Sequence, residues 1–367
     1  MEAMRCLAGQ YTCLYVDLEA CTSEADAIVK LAMVAREVRD LQQKVYDTFR
    51  SVLGNMLDRI AEIGVSELRL KLQEGVAADW RAKGDELADR LAGTDRQVVL
   101  CFDELPILVN ALLMGADFQM TPERQTRTRV FLSWLREVTI QHRGRLHVVV
   151  CGAIGLEPLL SRAAMTDTAT TLTPFELPPW DRETALRFLR DRAQRTGITF
   201  LDGADERLLD RLGHYIPHHV QMFVHFVHLA CKRRQPRTCQ PGDIDRLYEE
   251  KMLSVHGHVE LATYEDRLKR ILGPKRLAMA LELITETAVA GRLSSPAAIA
   301  IVRSRVGEGE DAMFELRFLL GLLTHDGYLK SVDGCYVFVS HLLRDWWKNR
   351  FGFGYVPIAR RAGEPRS

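Results

Sequence analysis

The chain has no excess of charge of either sign: 49 lysines and arginines balance 49 aspartates and glutamates over 367 residues. That balance removes any chain-wide attraction to nucleic-acid phosphates, although it leaves room for a local patch. No apolar run approaches the roughly 20 residues needed to cross a bilayer, and the N-terminus lacks a signal-peptide pattern. The eight cysteines (Cys6, Cys13, Cys21, Cys101, Cys151, Cys231, Cys239 and Cys335) contain no CxxC pair. Cys101 and Cys151 sit in or beside apolar, strand-like runs, so a reduced cytoplasmic compartment fits better than a disulfide framework. Internal repeats, low-complexity tracts and a G-x-S-x-G nucleophile turn are also missing. So is any GxxxxGK[ST] loop, and with it the backbone-amide cradle and lysine that hold nucleotide phosphates.

What is present has the profile of a globular protein, with 47% hydrophobic and 27% charged residues. The length predicts two or three domains with sizeable cores. Thr12–Leu18 (TCLYVDL) reads as a buried parallel strand, preceded by what looks like a helix tail over Met1–Gly9. Apolar residues at helical spacing follow from Ile28 to Ile60, then an alternating Ser66–Leu72 and a helix over Asp79–Leu91. Gln97–Phe102 is a second strand, and a helix carrying Phe131, Leu132, Leu135 and Val138 follows. His147–Val150 is a third strand, and Thr170–Phe175 a weaker fourth. Strands alternating with helices predict a three-layer α/β domain with a parallel sheet.

Beyond Pro179 the pattern turns helical. Asp181 is placed to cap Arg182–Thr196, and Asp205–Leu212 and Val220–Arg233 follow. After a linker-like Gln235–Gly242, helices are expected over Lys275–Ala288, Ser295–Ser304 and Asp311–Thr324. Tyr328–Val332 and Tyr336–Ser340 then flank an Asp333-Gly334 hairpin turn. Three helices followed by a two-stranded wing is winged-helix order.

The strongest chemical signal is Val98–Glu104, VVLCFDE. It places Asp103 and Glu104 at the carboxyl end of a parallel strand, where open α/β sheets bind ligands. Such a pair suits nucleotide hydrolysis: Asp103 holding Mg²⁺ through water, Glu104 orienting the attacking water. The plainer reading is an Asp-Glu that caps the next helix, with Pro106 just inside it. His214, His218, His219, His225 and His228 cluster with Cys231 and Cys239 nearby, but their spacing matches no zinc pattern.

Several stretches together resemble the AAA+/STAND ATPases, closest to prokaryotic ATP-binding proteins with a C-terminal winged helix. They are VVLCFDELPILVNALL (98–113), FLSWLREV (131–138), VVVCGAIGLEPLLSRA (148–163), LPPWDRETALRFL (177–189), GHYIPHHVQMFVHFV (213–227) and LLTHDGYLKSVDGCYVFVSHLLRDWW (322–347). They cover most of the chain after residue 12. The resemblance implies an AAA+-like P-loop core over 1–178, a helical lid over 179–262, a winged helix over 263–350 and a tail over 351–367. It implies ATP and Mg²⁺ as cofactors, with Asp103 and Glu104 as metal and water residues. It puts Ala153 at the sensor-1 position, where a serine would be expected to donate to the γ-phosphate. Pro217 falls in the lid motif beside the adenine and sugar, although a simple turn between lid helices explains it as well. Arg162 becomes a candidate arginine sensor, against the reading of a solvated surface arginine.

The family's phosphate loop and its strand should precede Thr12, so the chain is expected to be truncated there and to bind ATP weakly. The lost strand would lie between Thr170–Phe175 and His147–Val150. As partners the resemblance implies an unidentified protein docked through the winged helix, assembly into homo-oligomers, and no membrane. DNA is the less favoured partner, since Asp311–Thr324 (DAMFELRFLLGLLT) offers only Arg317 to base edges. Basic residues cluster instead at Arg344, Lys348, Arg350 and Arg360-Arg361, and Trp346 and Trp347 read as core and interface anchors. The reading is a nucleotide-dependent switch. Its rival is a non-hydrolysing scaffold or nucleic-acid adaptor, which Ala153 and the missing loop favour.

Overall fold

The computed structural model describes residues 9–37, 76–232 and 234–361. The helix tail read over 1–8, the helical stretch beyond Glu37 and the alternating Ser66–Leu72 lie outside the described residues. The chain divides into two compact units, Met1–Thr173 and Pro174–Ser367.

The first unit is built on a parallel sheet in the order β1 (Tyr11–Asp17), β2 (Gln97–Asp103), β3 (Leu146–Val150). The register sets Leu14 beside Leu100 and Val148, and Tyr15 beside Cys101 and Val149. Period-2 alternation therefore sorts the strands into two faces. Leu14, Val16, Val98, Leu100, Phe102 and Leu146 are buried on one face. Against it pack α1 (Glu24–Glu37), α2 (Trp80–Ala92), α3 (Leu105–Met114), α4 (Pro122–Gln141) and α5 (Leu156–Arg162). The other face carries Cys13, Tyr15, Asp103 and Val149, and Tyr15 and Val149 remain 38% and 49% exposed. Val99 on this second face is also buried.

Local chemistry explains the helix starts. Ser23 and Asp26 form a reciprocal box at the start of α1: the Asp26 N–H donates to Ser23 Oγ (3.1 Å) and the Ser23 N–H to Asp26 Oδ2 (2.9 Å). Thr121 caps α4 by accepting from the Arg124 N–H at 3.3 Å, with Pro122 in the first turn where no N–H is needed.

The expected fourth strand, Thr170–Phe175, is corrected: no strand forms there. A 3₁₀ turn at Thr166–Ala169 takes its place. Threonine hydroxyls supply the reason, because they bond locally. Thr168 Oγ1 donates to the Met165 carbonyl (2.7 Å) and Thr170 Oγ1 to that of Asp167 (3.2 Å), and the Leu172 N–H closes onto Ala169 (2.9 Å). Such bonds compete with a strand ladder.

The second unit is helical apart from short pairs. It runs α6 (Arg182–Thr196), β4 (Thr199–Phe200), α7 (Ala204–Leu212), α8 (Pro217–Cys231), β5 (Thr238–Cys239) and α9 (Pro241–Leu247), which a π-turn at Tyr248–Met252 extends. Then come α10 (Val255–Ile271), α11 (Pro274–Ala290), α12 (Ser295–Val306), α13 (Glu310–His325), the hairpin β6 (Leu329–Val332) and β7 (Cys335–Phe338), α14 (His341–Phe351) and α15 (Ile358–Arg361). Asp181 caps α6 as expected, accepting from the Thr184 N–H at 2.7 Å. The hairpin also forms as read. Val332 pairs with Cys335, and Asp333 and Gly334 both take positive φ (49° and 74°), the turn that matches strand twist.

Trp346 and Trp347 are buried core residues, and Trp347 Nε1 donates to Thr285 Oγ1 at 3.2 Å. That burial is what the reading of the two tryptophans as core residues expects. The basic cluster near them is largely internally paired: Arg344 with Asp345 (2.8 Å), Arg350 with Glu265 (2.8 Å) and Arg361 with Glu282 (2.9 Å).

Candidate functional site

β2 is the middle strand, and its apolar run ends at Asp103 and Glu104, where the chain turns into α3. Glu104 makes the turn as the N-terminal residue of α3 with φ 58° and ψ 29°. This left-handed conformation costs a non-glycine residue roughly 1–2 kcal/mol and tends to be kept where function needs it. The turn leaves Asp103 as the last residue of β2 and Glu104 directly after it. The sequence expectation that the two sit together there holds.

Asp103 is held by three donors. Its Oδ1 accepts from the Glu104 N–H (3.1 Å) and the Cys151 thiol (3.3 Å). Its Oδ2 accepts from the Tyr15 hydroxyl. Asp17 lies directly beside Asp103 in the β1–β2 register, so two carboxyl-bearing residues end adjacent strands. The Asp103 hydrogen bond, followed by burial, holds the Tyr15 hydroxyl well above the ordinary phenol range. Burial first, then the Asp103 hydrogen bond, pushes the Cys151 thiol up to about 12.

Glu104 is anchored across the sheet end. Its Oε2 accepts from the Ala153 backbone N–H at 3.0 Å. The approach depends on Gly152: a Cβ there would lie 2.8 Å from Pro106 Cδ and 3.2 Å from Glu104 Oε2. Ala153 thus reaches the site through its backbone, while its methyl group can donate nothing.

Arg162 ends α5 and approaches Met114 Sδ at 4.0 Å, at the end of α3 remote from Glu104. A ten-residue helix spans about 15 Å, so Arg162 is not brought to the carboxylates. Pro217 opens α8 in the second unit. The histidine cluster does not assemble a metal site: among the described residues no group of three His, Cys, Asp or Glu side chains is poised to hold one. His219 is buried, and among the described residues neither its Nδ1 nor that of His228 has a hydrogen-bond partner.

Tyr15 and Cys151 are the site residues that sequence reasoning missed. Tyr15 is separated from Asp103 by 88 positions and meets it only through the strand register. The one available signal was parity: Tyr15 and Asp17 share a strand face, as do Cys101 and Asp103.

The mixed α/β architecture with its parallel sheet has an AAA+-like ATPase fold, shared with solved structures. Among solved structures, the chain is similar to a Walker-type ATPase of Pyrococcus abyssi, with 15% identity and a TM-score of 0.50 over 94% of this chain and 86% of that one. It is similar also to the ORC2 protein of Aeropyrum pernix, solved as ADPNP–ADP complexes, with 11% identity and a TM-score of 0.50 over 96% and 82%. No protein-family model matches the sequence, and no curated protein matches it. No described helix is long and apolar enough to cross a membrane.

Proposed function

We propose that the chain is the carboxylate-bearing body of a nucleotide-dependent switch of the AAA+/STAND type, acting on ATP with Mg²⁺. One observation carries this reading: Asp103 and Glu104 at the carboxyl end of the middle strand, with Glu104 held in a left-handed turn against Ala153. The residues fit a hydrated divalent cation, because Asp103 and Asp17 stand side by side and cation–carboxylate contact through water suits Mg²⁺. A bound Mg²⁺ would neutralise phosphate charge during hydrolysis. Asp103 would position the cation's water shell. Glu104 would accept a proton from, and orient, an attacking water on the open side of the carboxylate.

The fit to the triphosphate is poorer, since no GxxxxGK[ST] occurs in the chain. Weak nucleotide binding is therefore expected. In this reading the second unit comprises a helical lid over 179–262 and a winged helix over 263–350, Pro217 lies in the lid motif, and the winged helix docks a protein. α13 supports docking of a protein over DNA: its exposed side carries Phe314, 54% accessible, and one basic residue, Arg317. Assembly of several copies belongs to the same proposal.

A second reading, a non-hydrolysing scaffold descended from such an ATPase, is favoured by Ala153. Its side chain cannot donate to a phosphate, and its N–H is already committed to Glu104. Equilibrium binding of a fluorescent ATP analogue and phosphate release, measured on the wild type, Asp103→Asn and Glu104→Gln, test the two. Turnover lost in Glu104→Gln with binding retained supports the switch. Binding with no turnover in the wild type supports the scaffold, and absence of Mg²⁺-dependent binding to any variant refutes the nucleotide reading.

A further inference from the structure

We propose that Tyr15 is a latch on Asp103, whose hydroxyl occupies the carboxylate oxygen that a hydrated divalent cation would otherwise engage. The inference deepens the reading of Asp103 as the metal-facing residue and rests on it, but it needs no nucleotide.

Asp17 and Asp103 are direct register partners at the ends of adjacent parallel strands, so two carboxyl-bearing residues share one sheet face. Local donors satisfy part of their hydrogen-bonding capacity. Asp17 Oδ1 accepts from the Glu19 N–H at 2.9 Å, and Asp103 Oδ1 accepts from the Glu104 N–H and the Cys151 thiol. Asp103 Oδ2 has one described donor, the Tyr15 hydroxyl. The phenol proton therefore stands where positive charge is wanted.

The latch is built to move. The Glu104 donor is backbone at the head of α3 and is fixed. A thiol at 3.3 Å is a weak donor. Tyr15 is a side chain on the sheet face opposite Leu14, Leu100 and Phe102, and it is 38% exposed. Rotation about χ1 would carry its hydroxyl away from Asp103 without disturbing the strand. A cation approaching Oδ2 must displace this hydrogen bond, so Tyr15 lowers the affinity of the carboxylate pair and makes occupancy depend on whatever turns the ring aside.

The experiment is a Mn²⁺ titration of the full chain, followed by the loss of the free-ion paramagnetic resonance signal. It compares wild type, Tyr15→Phe, Tyr15→Leu, Asp103→Asn and the double variant Tyr15→Phe/Asp103→Asn. Phe and Leu both remove the hydroxyl, and each should bind Mn²⁺ roughly tenfold or more tighter than wild type, the worth of one hydrogen bond to a charged group. The gain should vanish in the double variant. A purely structural role for Tyr15 would leave affinity unchanged or lower, and either result overturns the latch. A gain that survives Asp103→Asn also overturns it, since the cation would then sit elsewhere. A Tyr15→Phe gain in a chain that binds no nucleotide upholds the latch while refuting the ATP reading. Thermal melting of the two single Tyr15 variants identifies which of them is folded for the comparison.

Discussion

Glu104 Oε2 and the backbone N–H of Ala153 meet at 3.0 Å, joining the end of β2 to the loop that leaves β3. A glutamate oriented by a backbone donor keeps one fixed position as long as that loop keeps its path. The contact survives replacement of Glu104 by Gln, whose amide oxygen can still accept. Glu104→Gln should therefore melt within about 1 kcal/mol of wild type, whereas Glu104→Ala loses the bond and should fall by about 1–2 kcal/mol. Urea denaturation curves compare the two, and a Gln variant as unstable as Ala would show that the hydrogen bond is not what fixes this turn.

Gly152 makes the approach of that loop feasible. Adding a methyl group would set it 2.8 Å from Pro106 Cδ and 3.2 Å from Glu104 Oε2. Pro106 is locked in the first turn of α3 and cannot yield easily. Gly152→Ala should cost about 1–3 kcal/mol of stability, as overpacking does. It should also lower any Glu104-dependent turnover by displacing the carboxylate. Chemical denaturation together with phosphate release measures both effects.

The Cys151 thiol is exposed yet pushed up to about 12, by burial of the sulfur and then by its bond to Asp103. At pH 8 it is almost wholly protonated, and only the thiolate is a nucleophile. Iodoacetamide should thus alkylate Cys151 far more slowly than an ordinary exposed cysteine. Asp103→Asn removes the nearby negative charge and should accelerate the reaction, since lowering the thiol pKa raises the thiolate fraction. Peptide mapping by mass spectrometry follows the one site, and an unchanged rate would separate Cys151 from Asp103.

Glu24 is 3% exposed, and Arg127 grips it through Nε at 2.6 and 2.9 Å. Removing the arginine strands a buried carboxylate. Arg127→Ala should cost about 3 kcal/mol, while Glu24→Gln/Arg127→Met should recover most of that. Equilibrium unfolding of the single and double variants is the measurement. A single variant within 0.5 kcal/mol of wild type, on the order of a surface change, would count against the pairing.

His219 lies buried in the second unit, its Nδ1 without a hydrogen-bond partner among the described residues. Burial, with smaller repulsion from His218 and His214, lowers its pKa from 6.5 to about 4. The folded form therefore binds fewer protons than the unfolded form between those values. Stability should be full above pH 6.5 and fall as pH drops toward 4, by about 3 kcal/mol in total at about 1.4 kcal/mol per unit. His219→Phe should flatten that part of the profile, which thermal melts from pH 4 to 7 would reveal.

The sequence by itself determined the local grammar of this protein. The β-branched runs, the Asp181 cap and the Asp333-Gly334 turn depend on backbone sterics and near-neighbour hydrogen bonds, so they can be read residue by residue. Asp103 and Glu104 were legible for the same reason: a buried run that stops at two carboxylates must end at the rim of a sheet. Tertiary structure decided what lies across from them. Which strand face Tyr15 shares with Asp103, whether Cys151 or Arg162 reaches the carboxylates, and whether Ala153 contributes a side chain or an N–H all follow from register and from the path of the chain over tens of residues. It also decided against a strand at Thr170–Phe175, where threonine hydroxyls bond the neighbouring turn. Those outcomes depend on which distant groups compete for each hydrogen bond and each void, and no window of sequence carries that competition.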